Sequence, residues 1–325
     1  MLSVSVAPCV ATPPSLRYSR DERNKNTIDR QSGVVVPEQQ QDQEVDPRRT
    51  ERLDGRTALV TGAARGQGRS HAIRLAELGA DLVLVDVCAD LPRIPYGQPD
   101  RAQLDDTARA AREAGADVRT VVADIRDAAA MSDAAMLAVD ELGGIDIVVA
   151  NAGVIQLKPA TEIGPEDWAD VIGINLTGTW NTVSPTLAPM IDQARGGSII
   201  ITSSAAGVKG PPNMAHYAAS KSGVIGMMRS LAAELGPHGI RVNCITPTTV
   251  DTEMVHWPEA YAVFRPDLES PGRDDVVDIF ASLNVLPVPW IQASDVTDAV
   301  AFLAGDRARY ITGAVLPIDA GTLIK

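Results

Sequence analysis

The chain has 325 residues, a formal net charge of −13 at pH 7 and 45% hydrophobic residues. That is enough for a large α/β domain with a proper core, while the acidic surplus disfavours nucleic acid and anionic membrane surfaces, and no apolar run reaches the ~18 to 20 residues of a membrane span. Cys9, Cys88 and Cys244 are far apart, and His71, His216, His238 and His256 lack ligand spacing, so neither a disulfide framework nor a metal is expected and a reducing cytoplasm fits best.

Residues 1–52 are poor in large apolar side chains, carry Pro13-Pro14 and Gln39-Gln40-Gln41, and mix acidic with basic groups, the composition of a disordered N-terminal extension. From residue 53 one folded domain is expected. Short apolar runs at 57–61, 81–86, 119–124, 145–151, 198–203, 240–246 and 314–319 read as seven strands, several apolar almost throughout, as buried parallel strands are. Helical stretches lie at 66–79, 103–115, 128–142, 165–190, 216–236 and 293–304. The alternation predicts an α/β fold, a doubly wound parallel seven-stranded sheet of Rossmann type over 53–325.

Two connections are too long to be plain turns. Segment 88–103, with Pro92, Pro95, Pro99 and Tyr96-Gly97, cannot continue a helix and reads as an insertion. Segment 249–292 collects Met254, Trp257, Tyr261, Phe264, Phe280, Leu286 and Trp290 in a chain short of aromatics, which predicts a packed lid over an apolar pocket. Satellite packing or a subunit contact could employ the same side chains.

Thr61-Gly62-Ala63-Ala64-Arg65-Gly66-Gln67-Gly68 follows the first strand and opens a helix. Gly62 permits the tight turn, Gly66 lets the backbone approach a pyrophosphate, and Gly68 lets helix and strand pack closely. Asp86 ends the second strand, where a carboxylate accepts from ribose hydroxyls and repels a 2'-phosphate, so NAD is expected rather than NADP; Arg65 is the contrary signal. Farther along, Tyr217 and Lys221 stand four residues apart on one helix face, a phenol beside an ammonium able to favour the phenolate.

Together with Asp124, Asn151-Ala152-Gly153, Asn175 and Ser203-Ser204, these motifs make the chain from about residue 53 resemble the short-chain dehydrogenases/reductases. The resemblance implies a Tyr217 that takes the hydroxyl proton in alcohol oxidation, a Lys221 that holds the nicotinamide ribose, and an Asn175 that anchors a relay water. Ser204, thirteen residues before the tyrosine, would orient the substrate oxygen. It also implies cofactor contacts from Gln67, from Val87, from Asp124 with Ile125, and from the loop carrying Pro247, Thr248, Val250 and Thr252. Ser204, Met254 and Trp257 would line the substrate pocket.

Pro247-Thr248, where the family usually has Pro-Gly, narrows the resemblance to the mycofactocin-associated, carveol dehydrogenase-like subgroup. So do Ala64 to His71, Asp86-Val87-Cys88 and the insertion. That subgroup implies an apolar terpenoid or alicyclic secondary alcohol or its ketone, NAD held without free exchange, mycofactocin as external electron acceptor, and a homo-oligomer, specifically a tetramer, touching through the fourth and fifth helices and the C-terminal strand region. Two other readings stay open: a conventional ketone or 3-oxoacyl reductase with exchangeable NAD(P)H, and a non-catalytic NAD(H)-sensing protein on the same fold.

Overall fold

In the computed structural model, which describes residues 52–325, the apolar runs form β1 (Thr57–Thr61), β2 (Asp81–Asp86), β3 (Val118–Val122), β4 (Ile147–Ala150), β5 (Gly197–Thr202), β6 (Ile240–Pro247) and β7 (Val315–Ile318). They pair in parallel in the order β3-β2-β1-β4-β5-β6-β7. The expected N-terminal extension, with Cys9, lies outside the described residues except for Arg52.

Alternate residues of each strand feed two cores. Ala58, Val60, Leu82 and Leu84 pack with α1 (Gly66–Glu77), α2 (Arg101–Glu113) and α10 (Ala293–Ala304), through Leu75, Leu104 and Val300 among others. Leu59, Val83 and Val148 pack on the opposite face with α3 (Ala128–Leu142), α5 (Thr179–Asp192) and α7 (Ala215–Leu235), through Met131, Val183 and Met228. The chain leaves β1 toward one sheet edge and β4 toward the other, so a crevice opens between their carboxyl ends, where open α/β sheets bind ligands.

Three departures from the expected elements have local causes. The second helix begins at Arg101 rather than 103, because Asp100 and Gln103 exchange side-chain and backbone hydrogen bonds in a capping box; the insertion therefore spans 88–100. The long helix read at 165–190 is α4 (Pro165–Ile172), a π-helical stretch at Gly173–Gly178, and α5. Within 249–292 lie α8 (Pro258–Phe264) and α9 (Arg273–Ser282), with Pro258 at the first helical position of α8 and Asp275 accepting from Gly272 N at 2.8 Å at the start of α9. A short turn, α6 (Ala206–Lys209), follows β5.

The sheet end remote from the crevice is fastened by Asp146, whose fully buried carboxylate accepts from Thr57 N at 2.9 Å and pairs with Arg195 at 2.8 Å. Arg195 is partly exposed and can return to water, so Asp146→Ala should cost about 1 to 3 kcal/mol, the range for stranding a buried donor. The check is urea unfolding alongside nucleotide binding. The denaturation midpoint should fall while nucleotide affinity stays put.

Candidate active site

The turn from β1 into α1 is built around close backbone approach. Gly62 has φ of 68° and Gly66 of 54°, both in the left-handed region that glycine tolerates. A Cβ on Gly68 would lie 1.9 Å from Gly62 O, so no larger residue fits between helix and strand. Asn151 locks the turn across the crevice: its Nδ2 donates to Thr61 O at 3.1 Å, and the Asn151 and Ala152 amides donate to Thr61 Oγ1 at 3.2 Å. Ala64 N donates to Asp86 Oδ2 at 2.9 Å, which sets the carboxylate in the cleft. Burial pushes the Asp86 carboxyl up, with backbone donors at Ala64, Val87 and Cys88 and the Arg65 charge opposing.

These groups line a narrow cleft of about 120 Å³ together with Val87, Asp124, Ile125, Gly153 and Thr252. The insertion roofs it through Leu91, Tyr96, Gln98 and Pro99, residues that no sequence motif marks. Arg65 reaches over to donate to Gly97 O at 2.6 Å, and Arg93 in the insertion pairs with Glu166 at 2.9 Å and Asp170 at 2.6 Å on α4. Tyr96 is buried, accepts from Ile155 N at 3.1 Å and lies 5.8 Å from Trp257, centroid to centroid. Gln67 borders both this cleft and the neighbouring chamber, and its Oε1 is buried with no protein partner. An acceptor left in that state suits a ligand bearing amide or hydroxyl donors, and the cradle as a whole fits NAD.

Beyond β5 lies an apolar chamber of about 700 Å³. Ser204, Tyr217 and Lys221 sit on its wall with Ile155, Leu157, Met214, Met254, Phe264 and Phe280. Pro247, Thr248, Val250 and Thr252 border it too. Ser203 and Ser204 both border the chamber, but Ser203 Oγ donates to Lys221 O at 2.7 Å, whereas Ser204 Oγ accepts from Ala206 N at 3.1 Å and lies beside the Tyr217 phenol. Thr248 spends its hydroxyl on Thr322, 2.9 Å away, joining the loop after β6 to the C-terminal residues.

Lys221 is buried and donates from Nζ to Thr202 O at 2.8 Å; burial lowers it to about 8. The Tyr217 phenol is pushed up by burial, with the Ser204 hydrogen bond opposing. The expected lowering of the phenol by Lys221 is therefore not met by the protein's own groups: the ammonium lies 5.9 Å from the ring centroid and is directed at a carbonyl. Asn175 occupies the π-helical stretch, fully buried, with Oδ1 accepting from Val154 N at 2.8 Å and Nδ2 donating to Val154 O and Ser220 Oγ. Its side chain ties the segment after β4 to the helix bearing Tyr217. Trp257 differs from expectation. It is buried against Tyr96, donates to Met254 O at 3.0 Å and is not among the chamber-lining residues; Met254 takes that place.

Asp86→Ser removes the cleft's buried carboxylate while leaving Arg65 available for a 2'-phosphate. NADH affinity should fall about 10- to 100-fold, the worth of a hydrogen bond to a charged group, and NADPH affinity should rise. Titration of nucleotide fluorescence with both cofactors reads this directly.

The family model for short chain dehydrogenase matches residues 56–260. (-)-trans-Carveol dehydrogenase of Rhodococcus erythropolis is 47% identical over 275 residues, covering 84% of this chain and 99% of that protein. Cyclohexanol dehydrogenase of a Rhodococcus species is 35% identical, over 83% of this chain and 96% of its own. The crystal structure of carveol dehydrogenase from Mycobacterium avium in complex with NAD superposes with a TM-score of 0.83 at 47% identity, covering 84% of this chain and 99% of that one. With the glycine turn, Asp86 and the Ser204, Tyr217 and Lys221 group brought around one crevice, the chain belongs to the short-chain dehydrogenase family, as an NAD-dependent alcohol dehydrogenase.

Proposed function

We propose that the protein oxidises an apolar alicyclic or terpenoid secondary alcohol to its ketone, and that it does so on NAD held in place through many turnovers. The observation that carries this reading is the placement of Ser204 and Tyr217 on the wall of a large apolar chamber next to the cofactor cleft. Relatives named for carveol and cyclohexanol support the substrate class. Bound NAD supplies the hydride acceptor for the carbinol carbon.

Ser204 hydrogen-bonds the substrate oxygen, and Tyr217 receives its proton as the carbonyl forms. Lys221 would hold the nicotinamide ribose. A proton taken up by Tyr217 leaves along Lys221 and the Asn175 region, where the site of a Cβ on Gly153 lies 3.1 Å from Asn175 Oδ1 and 3.2 Å from Lys221 Nζ. Segment 249–292 acts as the lid. Its base is knit by Asp251, which lies 2.7 Å from His256 Nε2 and 2.8 Å from Arg273. Acyl-thioester substrates suit this lid poorly, because Arg265 is paired with Asp267 and Arg273 with Asp251, leaving the rim acidic.

The roof that the insertion makes over the cleft supports cofactor retention, and mycofactocin would then serve as the external electron acceptor. A cytoplasmic homotetramer completes the reading; no helix among the described residues is long and apolar enough to cross a membrane.

Native mass spectrometry of the purified protein should find bound NAD, and an alcohol screen with an artificial electron acceptor should give oxidation without added nucleotide. Tyr217→Phe should abolish that oxidation and keep the nucleotide; nucleotide-free protein that turns over only with added NAD refutes the retained-cofactor reading. The pH response has a definite sign. Because burial raises the Tyr217 phenol, alcohol oxidation, which needs the phenolate, should climb toward alkaline pH, while ketone reduction, which needs the phenol, should hold at neutral pH and decline when alkaline. Ser204→Ala removes the bond that opposes the rise, so the residual oxidation should begin its climb at higher pH in initial-rate profiles.

A further inference from the structure

Between the roofing insertion and the catalytic helix runs a buried chain of side-chain hydrogen bonds that the chemistry does not use. Gln156, 1% exposed, donates from Nε2 to Arg93 O in the insertion at 2.6 Å, and its Oε1 lies 3.1 Å from His216 Nε2. His216 is fully buried in the first turn of α7 and immediately precedes Tyr217. Neither Gln156 nor His216 lines the cleft or the chamber.

The polarity of this chain is determined. Because the Gln156 amide nitrogen is committed to a carbonyl, its oxygen can only accept, so His216 must donate from Nε2 and carry a bare Nδ1. That nitrogen is buried and accepts no hydrogen bond. Burial lowers His216 and keeps it neutral, with Asp167 opposing and Lys158 assisting; those two are paired to each other at 2.8 Å.

We propose that Gln156 is a positioning residue: it makes the placement of Tyr217 depend on the closed insertion, so that the catalytic tyrosine is aligned only while the cofactor cleft is roofed. The start of α7 needs such an anchor, since Met214 at its N-cap supplies no side-chain hydrogen bond. The backbone link from Lys158 N to Asn213 O, at 2.7 Å, ties the same segment to the residues entering α7. Of the insertion's other polar fastenings, the Arg93 pairs with Glu166 and Asp170 and the Arg65 bond to Gly97 O are partly exposed and hold it loosely, and the bond from Ile155 N to the Tyr96 hydroxyl comes from the residue next to Gln156 and fastens the same segment. An ångström of displacement at a reacting group can cost about 100-fold in rate, so a modest shift of the helix start is enough.

This inference rests on the proposed alcohol oxidation, and two variants separate the two ideas. Gln156→Met keeps the side-chain length and loses both bonds. Single-turnover reduction of bound nucleotide by an alcohol active with the wild type should slow about 10- to 100-fold, with half-saturation by the alcohol little changed. Exchange of bound NADH with labelled nucleotide, followed by fluorescence, should speed up in the same protein. Gln156→Glu, assayed at pH 8, keeps the acceptor for His216 and loses the donor to Arg93: exchange should be fast and hydride transfer slow, as in Gln156→Met, because the placement of Tyr217 has lost its tie to the insertion.

If folded Gln156→Met matches the wild type in both readouts, or weakens only alcohol binding, the positioning role is refuted. Hydride transfer at the wild-type rate in Gln156→Glu, with exchange fast, refutes it as well. Should Gln156→Met not fold, the exchange and transfer rates of Gln156→Glu still decide: unchanged exchange overturns the link to the insertion. Failure of the wild type to reduce bound nucleotide with any alcohol instead removes the functional reading, while the exchange measurement stays interpretable.

Discussion

Everything at this site depends on how closely the start of α1 approaches the end of β1. Gly68 sits so near Gly62 O that a methyl group cannot be admitted, and Asn151 clamps the same turn from β4 across the switch point. That contact sets the helix N-terminus at the crevice, brings Asp86 under the Ala64 amide, and fixes the spacing between β1 and β4 on which the cleft depends. The Ser204, Tyr217 and Lys221 group is placed from the other side of the crevice by β5 and α7, where Lys221 reaches Thr202 O and Ser203 binds Lys221 O. The two sides thus meet along one line, and the insertion and segment 249–292 touch above it through Tyr96 and Trp257.

Much of the fold was legible because parallel strands announce themselves as short apolar runs between turn residues. The runs at 57–61 and 81–86 coincide with β1 and β2, and the stretch at 128–142 coincides with α3, whose start is marked by Asp127 accepting from Ala129 N and Ala130 N. The helices of 249–292 were hidden because their order comes from aromatic contacts, such as Phe264 on Phe280 at 4.6 Å and Arg273 over Trp290 at 4.5 Å, rather than from periodicity.

Of the site, the sequence exposed what backbone geometry demands and concealed what tertiary packing decides. The glycine turn and the Tyr217 to Lys221 spacing were readable, and the choice of Ser204 over Ser203 rests on the family spacing. The inward turn of Trp257, the bond from Ile155 N to Tyr96 and the buried amide of Gln156 were not, since no local pattern says which side of a loop will face a neighbour 60 residues away. Nor could spacing reveal that burial opposes the charged forms of both Tyr217 and Lys221.

The π-helical stretch has an outward effect as well as an inward one. In an unbroken α-helix Trp168 and Trp180, twelve residues apart, would point about 120° away from each other. One wide turn acts as roughly one extra residue, which brings that angle down to about 20° and sets the two indoles along a single ridge of the joined helix. Both are a little under half exposed, at 45% and 44%. The distortion that turns Asn175 toward Ser220 therefore also resets which residues share the outer face, so a one-residue deletion between Gly173 and Gly178 would disrupt inside and outside together.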